Sequence, residues 1–316
     1  MAFKTSVQKY TGSINKLEFG SGENSKALGG ENVLPFYTFD GNIGGKPLIG
    51  LEILDVYPEK WLDELQQIYG DAANNAVQWA RFVEEKFSPD FICLRLEGAD
   101  PNGLNKSPEE AAALAKEVAQ AIKVPLVVAG TQNHDKDTKL FEKVAEVLEG
   151  CNVILLSAVE DNYKKIGAAG VLAYRHKVAA ESSVDINLAK QLNILLNQLG
   201  VKNEDIVMNV GCAAVGYGFE YVASTMDRIR LAALGQNDKS LQMPIITPVS
   251  FDTWSVKESV ASVEDAPEWG SQVERGIAME VSTAASVIAA GANAVILRHP
   301  GSAETVRKLA DALINN

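Results

Sequence analysis

With 316 residues, 47% of them hydrophobic, the chain can bury a large core as one α/β barrel or as two ordinary domains. A formal net charge of -12 argues against a nucleic-acid or anionic-membrane surface, since both need basic patches. No apolar run is long enough to span a membrane, and the opening MAFKTSVQKYTGS lacks a secretory-signal pattern, so a cytoplasmic protein is expected.

Residues 1–46 read differently from the rest and are expected to form an N-terminal extension. Within it, YTGSINKLEFG has apolar residues at roughly alternate positions, which suits a short hairpin or arm. Glycines 20, 22, 29 and 30 then punctuate a loop before the apolar VLPFYTF at 33–39. That apolar segment is expected either to plug the bottom of a barrel or to dock on a partner.

From residue 47 a regular format begins: an apolar strand, a polar or glycine-containing end, then an amphipathic helix. Strands are expected at 49–56, 91–97, 125–129, 152–158, 171–176, 205–211, 243–249 and 294–300. The run PLVVA at 125–129 is uninterrupted by polar residues, which suits a strand buried on both faces of a parallel sheet. Helices are expected between and after the strands. The clearest start is Ser107-Pro108-Glu109-Glu110, an N-cap, a proline at the first helical position and a capping-box glutamate. Eight strands alternating with eight helices predict an α/β fold, a (β/α)8 TIM barrel over residues 47–316, with an open doubly wound sheet as the alternative.

In such a barrel the binding chemistry collects at the carboxyl ends of the strands. The three histidines, His134, His176 and His299, all fall just beyond expected strands. Their neighbours at that rim would be Glu97, Thr131, Gln132, Asn133, Ser157, Arg175, Asn209, Gly211, Cys212, Thr247 and Arg298. This set is rich in amides, hydroxyls and cations and poor in carboxylates. It suits holding a large polar organic group better than paired-carboxylate acid–base catalysis, and no catalytic residue is assigned. No H-x-H or H-x-x-x-H spacing occurs, and Cys93, Cys151 and Cys212 lie far apart. No metal site, and no iron–sulfur cluster, is expected from this chain alone. A G-x-S-x-G elbow is missing, and the glycines of GCAAVGYG match neither a P-loop nor a dinucleotide fingerprint. Ser302 is the expected N-cap of the last helix.

The run GSGENSKALGGENVLPFYTFDG, with the strand ends GTQNHD, LLSAVEDNY and VILRHPG, resembles the small subunit of the corrinoid iron–sulfur protein. That is the delta-type subunit of the carbon monoxide dehydrogenase/acetyl-CoA synthase system of anaerobes. The resemblance runs over essentially the whole chain, and Gly29 to Phe36 is its most distinctive part. It implies a barrel paired as a heterodimer with a large corrinoid iron–sulfur protein subunit, which carries a 4Fe-4S cluster and a B12-binding domain. The corrinoid (cobalamin) would be shared, lying between that domain and this chain's carboxyl-end rim. It further implies methyl transfer from methyltetrahydrofolate, through a separate methyltransferase, to acetyl-CoA synthase in the reductive acetyl-CoA pathway. The rim residues are carried over by position only.

An alternative is a pterin-binding methyltransferase barrel acting on methyltetrahydrofolate, with Asn133 and Asn209 as candidate partners of the pterin. A shortage of rim aspartates weighs against it. An aldolase-type barrel would want a lysine at a strand end, and no expected strand ends in one.

Overall fold

The computed structural model describes residues 6–315. Ten strands, β1 Leu17–Phe19, β2 Lys26–Leu28, β3 Leu48–Leu54, β4 Phe91–Arg95, β5 Leu126–Ala129, β6 Ile154–Ala158, β7 Lys177–Glu181, β8 Ile206–Asn209, β9 Ile246–Thr247 and β10 Ala294–Leu297, form two sheets. β1 and β2 make an antiparallel hairpin, and β3 to β10 make a parallel sheet in which β10 lies between β3 and β9. A bridge between Met208 and Ile245, with Met208 N–H donating to Pro244 O at 2.8 Å, closes the ring between β8 and β9. The chain is an α/β fold, a (β/α)8 barrel.

The barrel helices follow in turn. They begin with α1 Asp63–Tyr69, α2 Ala76–Phe87, α3 Pro108–Ala121, α4 His134–Val147, α5 Tyr163–Ile166 and α6 Ile186–Leu199. After them come α7 Phe219–Gly235, α8 Val249–Thr253, α9 Lys257–Val260, α10 Gln272–Ala289 and α11 Pro300–Ile314. The capping box of α3 forms as its sequence predicts: Glu110 N–H donates to Ser107 Oγ at 3.2 Å, and Ser107 N–H donates to Glu110 Oε2 at 2.8 Å. At α11 the expectation fails by three residues. His299 is the N-cap, its Nδ1 accepting from Gly301 N–H at 2.9 Å, while Ser302 is buried inside the helix. No helix among the described residues is long and apolar enough to cross a membrane.

The hairpin, not the segment at 33–39, plugs the barrel bottom. Leu17, Phe19 and Leu28 are buried against inward residues of the strands, among them Phe91, Val127, Ile154 and Val207. The Phe19 and Phe91 rings meet edge to face at 5.8 Å. Asn152 at the foot of β6 latches the plug, its Nδ2 donating to Glu18 O and Gly20 O, each at 3.1 Å. Gly20 must be glycine there, because φ is +82° and a Cβ would come within 2.6 Å of the Pro125 ring. In the segment that follows, Glu31 reaches under the barrel. It accepts from Asn293 Nδ2 at 2.8 Å and lies 3.5 Å from the buried Arg230 guanidinium on α7. Val33 is buried, whereas Tyr37 and Phe39 are exposed.

The fifth barrel strand departs from the sequence expectation. The sequence predicts a strand over residues 171–176. Instead Gly167–Ala173 is a π-helical turn, Arg175 takes a left-handed φ of 62°, and the strand begins at Lys177. Small residues let this helix sit tight: a Cβ on Gly170 would lie 2.5 Å from Leu155 Cδ1. The true strand, KVAAE, has two alanines and one β-branched residue, a faint strand signal.

Candidate functional site

Along a barrel strand alternate side chains point inward, and the inward positions nearest the carboxyl end here are charged. Glu52 on β3 is fully buried. It accepts from Arg95 Nε on β4 at 2.7 Å, and from Arg298 Nε and Nη2, just past β10, at 3.2 and 3.1 Å. Burial pushes the Glu52 carboxyl up, but the two guanidiniums outweigh it and hold the group at about 2. Aromatic faces complete the layer: the Arg298 guanidinium carbon lies 4.4 Å from the Trp61 ring centre, and that of Arg95 lies 5.1 Å from Phe251. Placing three charges inside a barrel is costly unless each is paired, so such a layer marks a functional end of the fold.

Above the layer opens a cavity of about 280 Å³. Asn209 at the end of β8 donates to Ser157 Oγ at 3.0 Å and to Glu181 Oε2 at 3.3 Å, and accepts from Gly211 N–H at 3.1 Å. Asp137 on α4 accepts from Thr131 N–H and Oγ1–H, both at 2.7 Å, and from Gln132 N–H at 2.9 Å. This holds Gln132 in a left-handed conformation, φ 70°. Asp252 on α8 has its carboxyl pushed up to about 6, chiefly by burial; Arg95 opposes the rise and Glu181 adds to it.

The Asp252 shift has a measurable consequence. A folded-state value near 6 stands above the ordinary 3.8, so the native state keeps this proton longer than the unfolded chain. The resulting stability is fully present below pH 3.8 and is lost as pH rises through about 6. Asp252→Asn should flatten that slope, removing about 3 kcal/mol of pH dependence in urea unfolding between these limits. An unchanged slope would count against the buried position of this carboxyl.

The structure sorts the residues expected at the rim into four groups. Gln132, His134, Ser157, Asn209, Gly211 and Cys212 line the cavity. Thr131 and Asn133 stand beside it but are tied to the fold, Thr131 by Asp137 and Asn133 as the N-cap of α4. Arg298 lies beneath it in the charged layer. The remainder lie elsewhere. Thr247 is fully buried, and the inward packing of Ile246 before it turns its side chain toward the helices. His299 is buried at the start of α11, its ring stacked with Trp254 at 6.3 Å between centres.

Arg175 and His176 are corrections of a different kind. They precede β7 instead of following it, which puts them at the amino end of the barrel. His176 is fully buried there, its Nδ1 accepting from Val153 N–H at 3.3 Å and its Nε2 donating to Ala145 O at 2.9 Å. Burial lowers its pKa, and its role is to tie α4 to β6.

Sequence reasoning missed Glu52, Arg95, Asp137, Glu181 and Asp252, so the rim is not poor in carboxylates. A usable signal existed for two of them: IGLEIL at 49–54 and FICLRL at 91–96 each carry one charge in an otherwise apolar run, at a position that alternation points inward. Burial holds the thiols of Cys93, pushed up to about 12, and Cys212 protonated. Among the described residues, no three His, Cys, Asp or Glu side chains are placed to hold a metal.

A family model for the CO dehydrogenase/acetyl-CoA synthase delta subunit matches residues 16–312. The acetyl-CoA decarbonylase/synthase complex subunit delta of Archaeoglobus fulgidus is 32% identical, over 98% of this chain and 71% of the relative. The protein of that name from Methanothermobacter thermautotrophicus is 31% identical, over 98% of this chain and 78% of the relative. Among solved structures, a dihydropteroate synthase from Coxiella burnetii in complex with pteroic acid superposes with a TM-score of 0.56 at 11% identity, covering 88% of this chain and 97% of that one. A Yersinia pestis dihydropteroate synthase gives 0.56 at 10% identity, covering 86% and 95%. Identities this low speak for the shared barrel alone.

Proposed function

The chain belongs to the CO dehydrogenase/acetyl-CoA synthase delta subunit family, and on that premise we propose that it is the barrel subunit of a corrinoid iron–sulfur methyl carrier. In this reading it works in the cytoplasm as half of a heterodimer, in the reductive acetyl-CoA pathway. The large corrinoid iron–sulfur protein subunit carries the 4Fe-4S cluster and most of the contacts to the corrinoid. The other partners are a methyltetrahydrofolate methyltransferase and acetyl-CoA synthase. The observation that carries the reading is the polar mouth above the Arg95–Glu52–Arg298 layer, in a chain whose relatives are named as subunits of that complex.

The residues present fit a corrinoid at the mouth. A cavity of about 280 Å³ is too small to enclose a macrocycle, but its edge offers amide, hydroxyl and guanidinium groups that match a polar amide-bearing periphery. Gln132, Ser157 and Asn209 would hold it, and the exposed Phe251 ring would exclude water beside it. A bound corrinoid supplies the cobalt centre that carries the methyl group. This chain's part is to bind, orient and shield.

Anaerobic purification from the native source should yield a larger chain at equal stoichiometry. A Gln132→Ala/Asn209→Ala/Phe251→Ala variant of the complex should then lose most of its corrinoid, since each deleted contact removes about 0.5–1.5 kcal/mol. A Lys116→Ala control on the outer face of α3 should keep it all. Full occupancy in the triple variant would move the corrinoid away from this rim.

One observation favours a second reading, a pterin-binding methyltransferase barrel acting on methyltetrahydrofolate. The mouth does hold carboxylates, Glu181 and Asp252, which the N–H edge of a pterin requires. Direct titration of the chain with methyltetrahydrofolate separates the two.

A further inference from the structure

We propose that the cavity in the barrel mouth is a socket for a carboxamide or lactam edge, a C=O beside an N–H. Arg95 donates to the oxygen, and Asp252 and Glu181 accept from the nitrogen. The proposal rests on the reading of the mouth as the cofactor-facing surface and names what that surface grips.

Arg95 is 8% exposed and lines the cavity. Its Nε–H is used on Glu52 at 2.7 Å, while its terminal N–H groups donate to no acceptor among the described residues. The Phe251 ring, 5.1 Å from its guanidinium carbon, forms a flat wall beside them. On the acceptor side, the Asp252 carboxylate accepts no hydrogen bond among the described residues. Among the described residues Glu181 accepts one, from Asn209 Nδ2 at 3.3 Å. A buried donor and two under-used acceptors therefore share one space of about 280 Å³. All three open onto the cavity, and a ligand that supplies both complements gives them fixed partners in place of solvent.

Charge narrows the ligand class. A carboxylate would meet Arg95 well but repel Asp252 and Glu181. An ammonium would do the reverse. A neutral edge carrying both an acceptor and a donor satisfies all three, which is the chemistry of a primary carboxamide or a ring lactam. Two sources present that edge: the side-chain carboxamides of a corrinoid and the lactam ring of a pterin. The cavity is of the size for one side chain or one small ring system.

The test titrates the full chain, by calorimetry, with three probes. They are cyanocobalamin, the same corrinoid after hydrolysis of its side-chain amides to carboxylates, and tetrahydrofolate. Asp252→Ala and Glu181→Ala are titrated in parallel, with a circular dichroism melt confirming that each is folded. Saturable binding of cyanocobalamin is expected, weakened about tenfold in each variant, as one charge-assisted hydrogen bond implies. The hydrolysed corrinoid should not bind. Binding of tetrahydrofolate alone, with the same dependence on Asp252 and Glu181, would support the socket and assign the edge to a pterin. Binding of neither amide probe, or equal affinities in wild type and both variants, would overturn it. Corrinoid occupancy of the rim-variant complex is a separate measurement, so failure of the socket and failure of the capping role can be told apart.

Discussion

Glu52→Ala is expected to cost about 3–5 kcal/mol of folding stability, because it strands the Arg95 and Arg298 guanidiniums inside the barrel without their shared carboxylate. Urea unfolding at neutral pH reads this as a large fall in midpoint with an unchanged slope. Acid should reproduce the effect in the wild type. With the folded-state value near 2 and the ordinary value at 4.5, the contribution is complete above pH 4.5 and is lost as pH falls through about 2. Glu52→Gln keeps the shape and removes the charge, so it should abolish that acid-dependent part. A Glu52→Ala protein within about 1 kcal/mol of wild type would show that the layer relaxes or hydrates, against the pairing seen here.

Phe19→Ala should cost about 3–5 kcal/mol as well, by a different route. The ring is fully buried at the barrel bottom and packs edge to face on Phe91, so its removal leaves a cavity lined by inward strand residues that cannot collapse. Hydrogen exchange should quicken at the amino ends of β3 to β6, while the rim amides around Gln132 and Gly211 keep their protection. Phe39→Ala is the matched control. That ring is 57% exposed, and the change should fall within about 0.5 kcal/mol of wild type. Equal losses from both substitutions would mean that the hairpin is not the plug.

Much of the barrel is legible in the chain because its signals are local. Apolar strand runs, the Ser107 capping box and the helical stripes each depend on residues within a turn or two. The N-terminal motif is legible as distinctive but not as to its purpose, since the partners of Glu31 are Arg230 on α7 and Asn293 before β10, both far away along the chain. The fifth barrel strand is misread because VLAYRH has a stronger local strand pattern than KVAAE. What overrides it is packing: Gly167 and Gly170 let a helical turn sit against Leu199 and Leu155. That displacement of a few residues carries Arg175 and His176 from one end of the barrel to the other.

By itself, the sequence determined the class of fold, the number and order of the barrel strands, and the capped start of α3. These follow from periodicity, caps and composition, which act over short range. Only the tertiary structure decided which polar residues meet. Glu52, Arg95 and Arg298 lie in three separate βα units, and only the register of neighbouring parallel strands places them in one layer. Asp252 and Glu181 likewise become a pair only when the ring closes and α8 folds over the mouth. A charge in a strand reads the same in sequence whether it faces helices, solvent or the barrel axis. Its partners across the sheet fix its ionisation, and so its chemistry.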